Sequence, residues 1–284
     1  IIIKFLKNMK ILDKFNLNNQ VAIVSGASGL LGSIYCATLA QQGAKVIGLD
    51  KKISKTNIKK TFNEFGLSKE FEENIIFEKC DITKKDNVKE VFKKNSIDKK
   101  NLKILINNAS LVKQISNIDS NFYKPFLKSE PKDWKEFFEV DLVGTLILSK
   151  LAIPIMIKNN GGSIVNISST YGILSPDQRL YKFIKKENME KPIGYSISKS
   201  GILNLTRHLA TLYGEFNVRV NTLTLGGVFQ NNPKAFVKKY SEKTPLNRMA
   251  NKFEYCASML FLVSNASSYM TGSNLIVDGG WSSW

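Results

Sequence analysis

The chain has 284 residues, 43% of them hydrophobic, enough for a core that needs no disulfide or metal staple. Its formal net charge is +17, yet only four residues are arginine (Arg179, Arg207, Arg219, Arg248). Scattered lysine makes a solvated surface, whereas sequence readers of nucleic acid favour Arg forks, so no nucleic-acid partner is expected.

Cys36, Cys80 and Cys256 lie far apart and read as free thiols of a cytoplasmic, reducing setting. The apolar runs fall short of the ~20 residues of a membrane span, so no membrane association is expected. Ile1–Leu6 is interrupted by Lys4, is followed by Lys7 and has no small-residue cleavage site after it, so it does not read as a signal peptide. Met9 offers an alternative start. Residues 1–18 read as an N-terminal extension and 19–284 as one domain.

Short, β-branched strands alternate with helical patterns, the signature of an α/β Rossmann-type doubly wound parallel sheet with helices on both faces. The expected strands, about seven, are Val21–Ser25, Lys45–Leu49, Ile75–Glu78, Lys103–Ile106, Ser163–Ile167, Arg219–Thr224 and Leu275–Val277. The expected helices are Leu30–Gln42, Ser54–Phe65, Lys84–Lys94, Pro131–Asn159, Gly194–Phe216 and Lys252–Ser264. Two stretches break the alternation, Leu111–Glu130 and Leu174–Ile193. Both follow the carboxyl ends of strands, where open α/β sheets bind ligands.

The first strand runs into Ser25-Gly26-Ala27-Ser28-Gly29-Leu30-Leu31-Gly32. Glycines here allow a tight turn and close approach of backbone N–H groups to a pyrophosphate. Asp50 ends the second strand, 18 residues after Gly32. A carboxylate there accepts from both ribose hydroxyls and repels a 2′-phosphate, which favours NAD over NADP. Lys51 softens that preference.

Tyr195 and Lys199 are four apart, so they share a helix face. An ammonium ~4 Å from a phenol favours its ionised form by about 4 kcal/mol at an effective dielectric of ~20. That lowers a starting pKa of ~10 by up to about three units, into the range useful for acid–base work.

Beyond this pair the sequence resembles the short-chain dehydrogenase/reductase family, from Val21 to Trp284. The resemblance is carried, in order, by Gly26…Gly32, Cys80-Asp81-Ile82-Thr83, Asn107-Asn108-Ala109-Ser110, Asn166-Ile167-Ser168-Ser169, Tyr195…Lys199, Arg219-Val220-Asn221 and Val277-Asp278-Gly279-Gly280. It implies an NAD(P)-dependent enzyme interconverting a secondary alcohol and a ketone. Ser169 would hydrogen-bond the substrate oxygen, with Ser168 its structural neighbour. Lys199 would also hold the nicotinamide ribose, and Asp81 would face the adenine. Gly26, Ser28, Gly29, Leu30, Leu31, Gly32, Asp50, Asp81, Ile82, Asn108, Ala109, Ser110, Tyr195, Lys199, Gly226 and Val228 would line the cofactor. A homodimer or homotetramer through the two long helices is implied as well.

Three departures stand out. The middle glycine is Gly29, with Leu30 where single-domain members carry glycine. Asp141 stands where the family places an asparagine whose main-chain carbonyl holds a relay water. Leu225 replaces a proline before Gly226.

Ser169 and Tyr195 are 26 residues apart, about twice the family's usual separation. The excess lies around Arg179–Lys191 and mixes basic and aromatic residues (Arg179, Leu180, Tyr181, Lys182, Phe183, Lys185, Lys186, with Glu187). Through Arg179, Lys182 and Lys185 it is expected to help bind a polar, phosphorylated, sugar-like substrate, a sugar or nucleotide sugar. Gly226–Ser241 is expected to cover the substrate, hinged at Gly226 and Gly227. With the inserted loop and Thr244–Met249, it resembles members that modify surface glycans or flagellin. Two other readings stay open: a 3-oxoacyl-carrier-protein reductase, and a cofactor-binding regulatory protein without catalysis. His208, the only histidine, reads as packing or surface, and no cluster has metal-ligand spacing.

Overall fold

The computed structural model describes residues 10–112, 122–181 and 189–284. Seven parallel strands form one sheet in the order β3-β2-β1-β4-β5-β6-β7. They are β1 (Val21–Ser25), β2 (Lys45–Asp50), β3 (Ile75–Lys79), β4 (Leu102–Asn107), β5 (Gly162–Ser169), β6 (Val218–Leu225) and β7 (Asn274–Val277). The fold class and all seven expected strands agree with this sheet, with ends moved by one or two residues. In β1 all five residues are buried, as expected when helices cover both faces.

Helices α1 (Leu30–Gln41), α2 (Lys55–Phe65), α3 (Lys69–Glu72) and α4 (Lys85–Lys94) follow the first strands. The expected long helix Pro131–Asn159 is divided. It comprises α5 (Pro131–Phe138), a π-helical turn at Glu139–Gly144 and α6 (Thr145–Lys158). By length and composition this helix is apolar enough to cross a membrane. Its inward residues Leu148, Ala152, Ile153 and Met156 are instead packed in the core against β4 and β5. Next come α7 (Thr170–Ile173), α8 (Ile193–Tyr213), α9 (Lys234–Glu242) and α10 (Cys256–Val263). The sequence pattern did not anticipate α3, α7 or α9; α3 and α7 have four residues each, too few to show a period, and α9 lies in the segment read as a substrate cover.

Two apolar layers sandwich the sheet, one built around Ile23, Leu105, Leu148 and Val220, the other around Val24, Tyr35, Ile106 and Met259. Leu17, placed in the expected N-terminal extension, is fully buried in the second layer. Its N–H donates to Gln42 O at 2.9 Å.

Arg219, singled out as part of a motif, has a structural task. Its guanidinium donates to the carbonyls of Leu262, Ser264 and Met270 and to Ser267 Oγ. It thereby satisfies the open carbonyls at the end of α10. Arg219→Met removes these charge-assisted bonds, although Leu262 O, Ser264 O and Met270 O keep second donors in Ser163, Ser267 and Asn221. The expected cost is about 2 kcal/mol, a drop of about 5 °C in melting temperature, readable by calorimetry. An unchanged melting temperature would contradict this role.

Candidate active site

The strand order reverses between β1 and β4, which leaves a crevice at their carboxyl ends. A cavity of about 810 Å³ opens there. Gly26 has φ +64, and a Cβ on it would lie 2.8 Å from the Ala109 backbone. Only glycine tolerates both. A Cβ on Gly32 would meet Gly26 O at 2.1 Å, so this residue sets how closely α1 approaches the turn. Gly29 is the N-cap of α1, and no side-chain hydrogen bond caps the helix. Its first-turn N–H groups therefore face the crevice as an anion site. Leu30 is simply the first helical residue, so the shifted middle glycine leaves the turn intact.

Ser25 Oγ ties the two strands together by accepting from the N–H groups of Asn108 and Ala109 at 3.0 and 3.1 Å. Asp50 ends β2 at the cavity wall. Its carboxylate accepts from Ser28 N and Lys52 N at 3.0 and 3.1 Å. Lys51, also at the cavity wall, pairs with Asp81 at 3.1 Å. Asp81 also accepts from the Thr83 hydroxyl at 2.7 Å, and these partners hold its carboxyl below the ordinary range. Ile82, Asn108, Ala109, Ser110, Gly226 and Val228 line the same cavity, as do Leu30 and Leu31. Ser28 and Gly32 support it from behind.

Ser169 ends β5 and caps α7, its Oγ accepting from Tyr171 N at 3.2 Å. Ser168 points the other way and donates to Lys199 O at 2.9 Å. Ser169, Tyr195 and Lys199 converge on the cavity, as the sequence predicted. The Ser169 hydroxyl hydrogen-bonds the Tyr195 phenol.

The expected electrostatics need correction. Burial holds the Tyr195 phenol up, at about 12, with Asp141 adding to the effect. Lys199 Nζ is 5.8 Å from the Tyr195 ring centre. It donates to Ile167 O at 3.1 Å and lies 3.8 Å from Asp141 Oδ1. Asp141 sits inside the π-helical turn, is buried, and accepts from Ser198 Oγ at 2.5 Å. It therefore brings a carboxylate to the lysine, beyond any main-chain role. Part of the ammonium field is spent on that carboxylate, and desolvation outweighs the rest.

The inserted stretch also differs from expectation. Arg179 is held by Asp177 in a two-point ion pair, both contacts 2.9 Å, and is exposed. It does not reach the cavity. Lys182, Phe183, Lys185 and Lys186 lie outside the described residues. Leu180, Tyr181 and Met189 are buried in an aromatic cluster with Tyr123, Tyr171, Phe236, Tyr240 and Trp281. The insertion thus builds an aromatic wall. Lys191, which the sequence reading did not single out, stands over the Tyr195 ring at 4.2 Å. Burial and the like charge of Lys199 pull its ammonium down to about 8.

Gly226 and Gly227 do not have the open surroundings of a hinge. A Cβ on either would meet Asp278 Cα at 2.8 Å or the Tyr240 ring at 2.6 Å. The segment beyond them forms α9, which brings Phe236 and Tyr240 to the cavity. Leu225, in place of the expected proline, is buried at the end of β6. His208 is exposed on α8.

A crevice at the sheet's switch point, with a glycine cradle and a Tyr–Lys pair, defines a dinucleotide-dependent oxidoreductase. A family model described as enoyl-(acyl carrier protein) reductase matches residues 26–282. Post-translational flagellin modification protein A of Campylobacter coli is 29% identical, over 93% of this chain and 99% of that protein. The 7alpha-hydroxysteroid dehydrogenase of Paraclostridium sordellii is 32% identical, over 93% and 92%. A crystal structure of a short-chain dehydrogenase from Leptospira borgpetersenii with bound NAD+ superposes with a TM-score of 0.80 at 29% identity, covering 97% and 96%. This chain belongs to the short-chain dehydrogenase/reductase family, and it is an NAD(P)-dependent oxidoreductase acting on a small molecule.

Asp141→Asn tests the carboxylate's hold on the site. Removing a negative charge that raises the phenol lets Tyr195 ionise at lower pH. The ascending limb of the alcohol-oxidation profile, where the phenol loses its proton, is expected to move to lower pH, read from kcat against pH. An unmoved limb would show that Asp141 does not act on the phenol.

Proposed function

We propose that the enzyme interconverts a secondary alcohol and a ketone on a polar, sugar-like substrate, with Tyr195 as proton carrier and NAD as preferred cofactor. The observation that carries this reading is the convergence of Ser169, Tyr195 and Lys199 on the cavity that the Gly26–Gly32 turn opens.

The residues fit a dinucleotide. The bare N-terminus of α1 and the space left by Gly26 suit a pyrophosphate, and Asp50 suits ribose hydroxyls. Bound nicotinamide supplies the hydride acceptor or donor and, when oxidised, a positive charge. In the oxidation direction Tyr195 takes the hydroxyl proton as the carbon loses hydride. The added positive charge brings the phenol down from about 12 toward its working range. Ser169 holds the substrate oxygen. Lys199, fixed by Ile167 O and Asp141, holds ribose hydroxyls and favours the phenolate. Asp141 keeps the lysine in place, and the π-helical turn leaves its main chain irregular where the family holds a relay water.

Aromatic faces with polar tips, Tyr123, Tyr171, Tyr181 and Tyr240, suit the C–H faces and hydroxyls of a sugar. The flagellin-modification relative agrees with a carbohydrate substrate. Residues 19–284 act as one domain, anchored by Leu17. Half-exposed Leu146, Ile197 and Leu212 on α6 and α8 suit a homodimer or homotetramer interface. Free Cys36, Cys80 and Cys256 agree with a cytoplasmic site of action.

Tyr195→Phe is expected to lower kcat by roughly 100- to 10,000-fold while NADH still binds, read by its fluorescence. Near-normal turnover would overturn the assignment. Replacing Asp50 with Ser removes the charge that repels a 2′-phosphate. The ratio of kcat/KM for NAD over NADP is expected to fall at least about tenfold, since a charge contact is worth ~1.4 kcal/mol or more. An unchanged ratio would place cofactor choice elsewhere.

A further inference from the structure

Among the described residues, three basic side chains line the cavity: Lys51, Lys191 and Lys199. Lys51 is paired with Asp81 and Lys199 with Asp141. The ammonium of Lys191 has no hydrogen bond or ion pair among the described residues. Its contacts are the faces of Tyr195 at 4.2 Å and Tyr171 at 6.0 Å.

The backbone holds Lys191 in place. Its N–H donates to Gln178 Oε1 at 2.9 Å, and Pro192, the N-cap of α8, follows directly. Asp141 acts on this ammonium through space but is held by Lys199 and Ser198, and the carboxylates nearer in sequence are committed elsewhere. Asp177 is taken by Arg179 and Lys243, and Glu190 accepts from Phe126 N at 2.8 Å. A cation drawn into a cavity near a like charge is costly unless something compensates it. Two tyrosine faces compensate in part.

We infer that Lys191 is the anion-recognition residue of the substrate site, and that the substrate carries a carboxylate or phosphate close to the reacting carbon. This rests on the proposed placement of the reacting alcohol beside Tyr195. An anion oxygen hydrogen-bonded at ~2.8 Å falls within about 7 Å of the Tyr195 ring centre. The charged group is therefore part of the same small molecule's reacting end. A distant phosphate, as in a long carrier arm or the far half of a nucleotide sugar, does not meet this requirement. The anionic role expected of Arg179, Lys182 and Lys185 passes to a residue at the end of the same insertion.

The test uses the NAD-bound enzyme and three probes of matched skeleton: D-glucitol, D-gluconate and D-glucitol 6-phosphate. Calorimetric titration gives Kd, and NADH formation is followed in parallel. At least one charged probe is expected to bind roughly 10- to 100-fold tighter than glucitol. Which one does so distinguishes carboxylate from phosphate. Lys191→Met is expected to abolish that ratio, and Lys191→Arg to restore most of it. Equal binding of all three, no binding of either charged probe, or a ratio that survives Lys191→Met overturns the inference. A charge preference without NADH formation from any probe leaves the anion site standing and counts instead against the proposed reaction on this class.

Discussion

A ladder of buried side-chain hydrogen bonds runs beneath the site and fixes its parts. Asn107 on β4 donates to Asn166 on β5 at 2.8 Å. Asn166 donates to Thr206 on α8 at 2.9 Å, and Thr222 on β6 donates to the same hydroxyl at 2.7 Å. Buried amides left unpaired cost free energy, so this register of strands and helix is strongly preferred over its neighbours. Ser169 lies three residues beyond Asn166, and Lys199 two turns before Thr206. The ladder therefore sets the distance between the serine and the Tyr–Lys helix face.

Above that ladder the site is an arrangement of charge in a poorly solvated place. Lys199 is held by Asp141 and a main-chain carbonyl, and Tyr195 is raised by burial. The protein alone keeps the Tyr195 phenol protonated. In the proposed mechanism, positive charge arriving with an oxidised cofactor would shift that balance and so couple cofactor occupancy to readiness for proton transfer. The other end of the cavity is different in kind, an aromatic enclosure with one ammonium that has no ion pair among the described residues.

Much of the cofactor half was legible in the sequence because its requirements are local. Gly26 needs a positive φ and room beside Ala109, and Asp50 needs only to end a strand. The substrate half was less legible. Arg179 looked like a ligand-binding cation, yet Asp177, two residues earlier, neutralises it. Gly226 and Gly227 looked like a hinge, yet Asp278, from far along the chain, and Tyr240, 13 residues on, demand their small size. Lys191, at the end of the insertion, was not told apart from its other lysines, since its place over Tyr195 and Tyr171 arises only on folding.

The sequence by itself determined the order of elements, the glycine turn, the acidic end of β2 and the spacing of Tyr195 and Lys199. Each depends on backbone sterics or a single helical turn, which neighbouring residues dictate. Only the tertiary structure decided that Asp141 faces Lys199, that the insertion builds an aromatic wall, and that the Tyr195 phenol sits high rather than near neutral. Those outcomes depend on burial and on charges brought together from far along the chain, and desolvation is a property of the assembled interior.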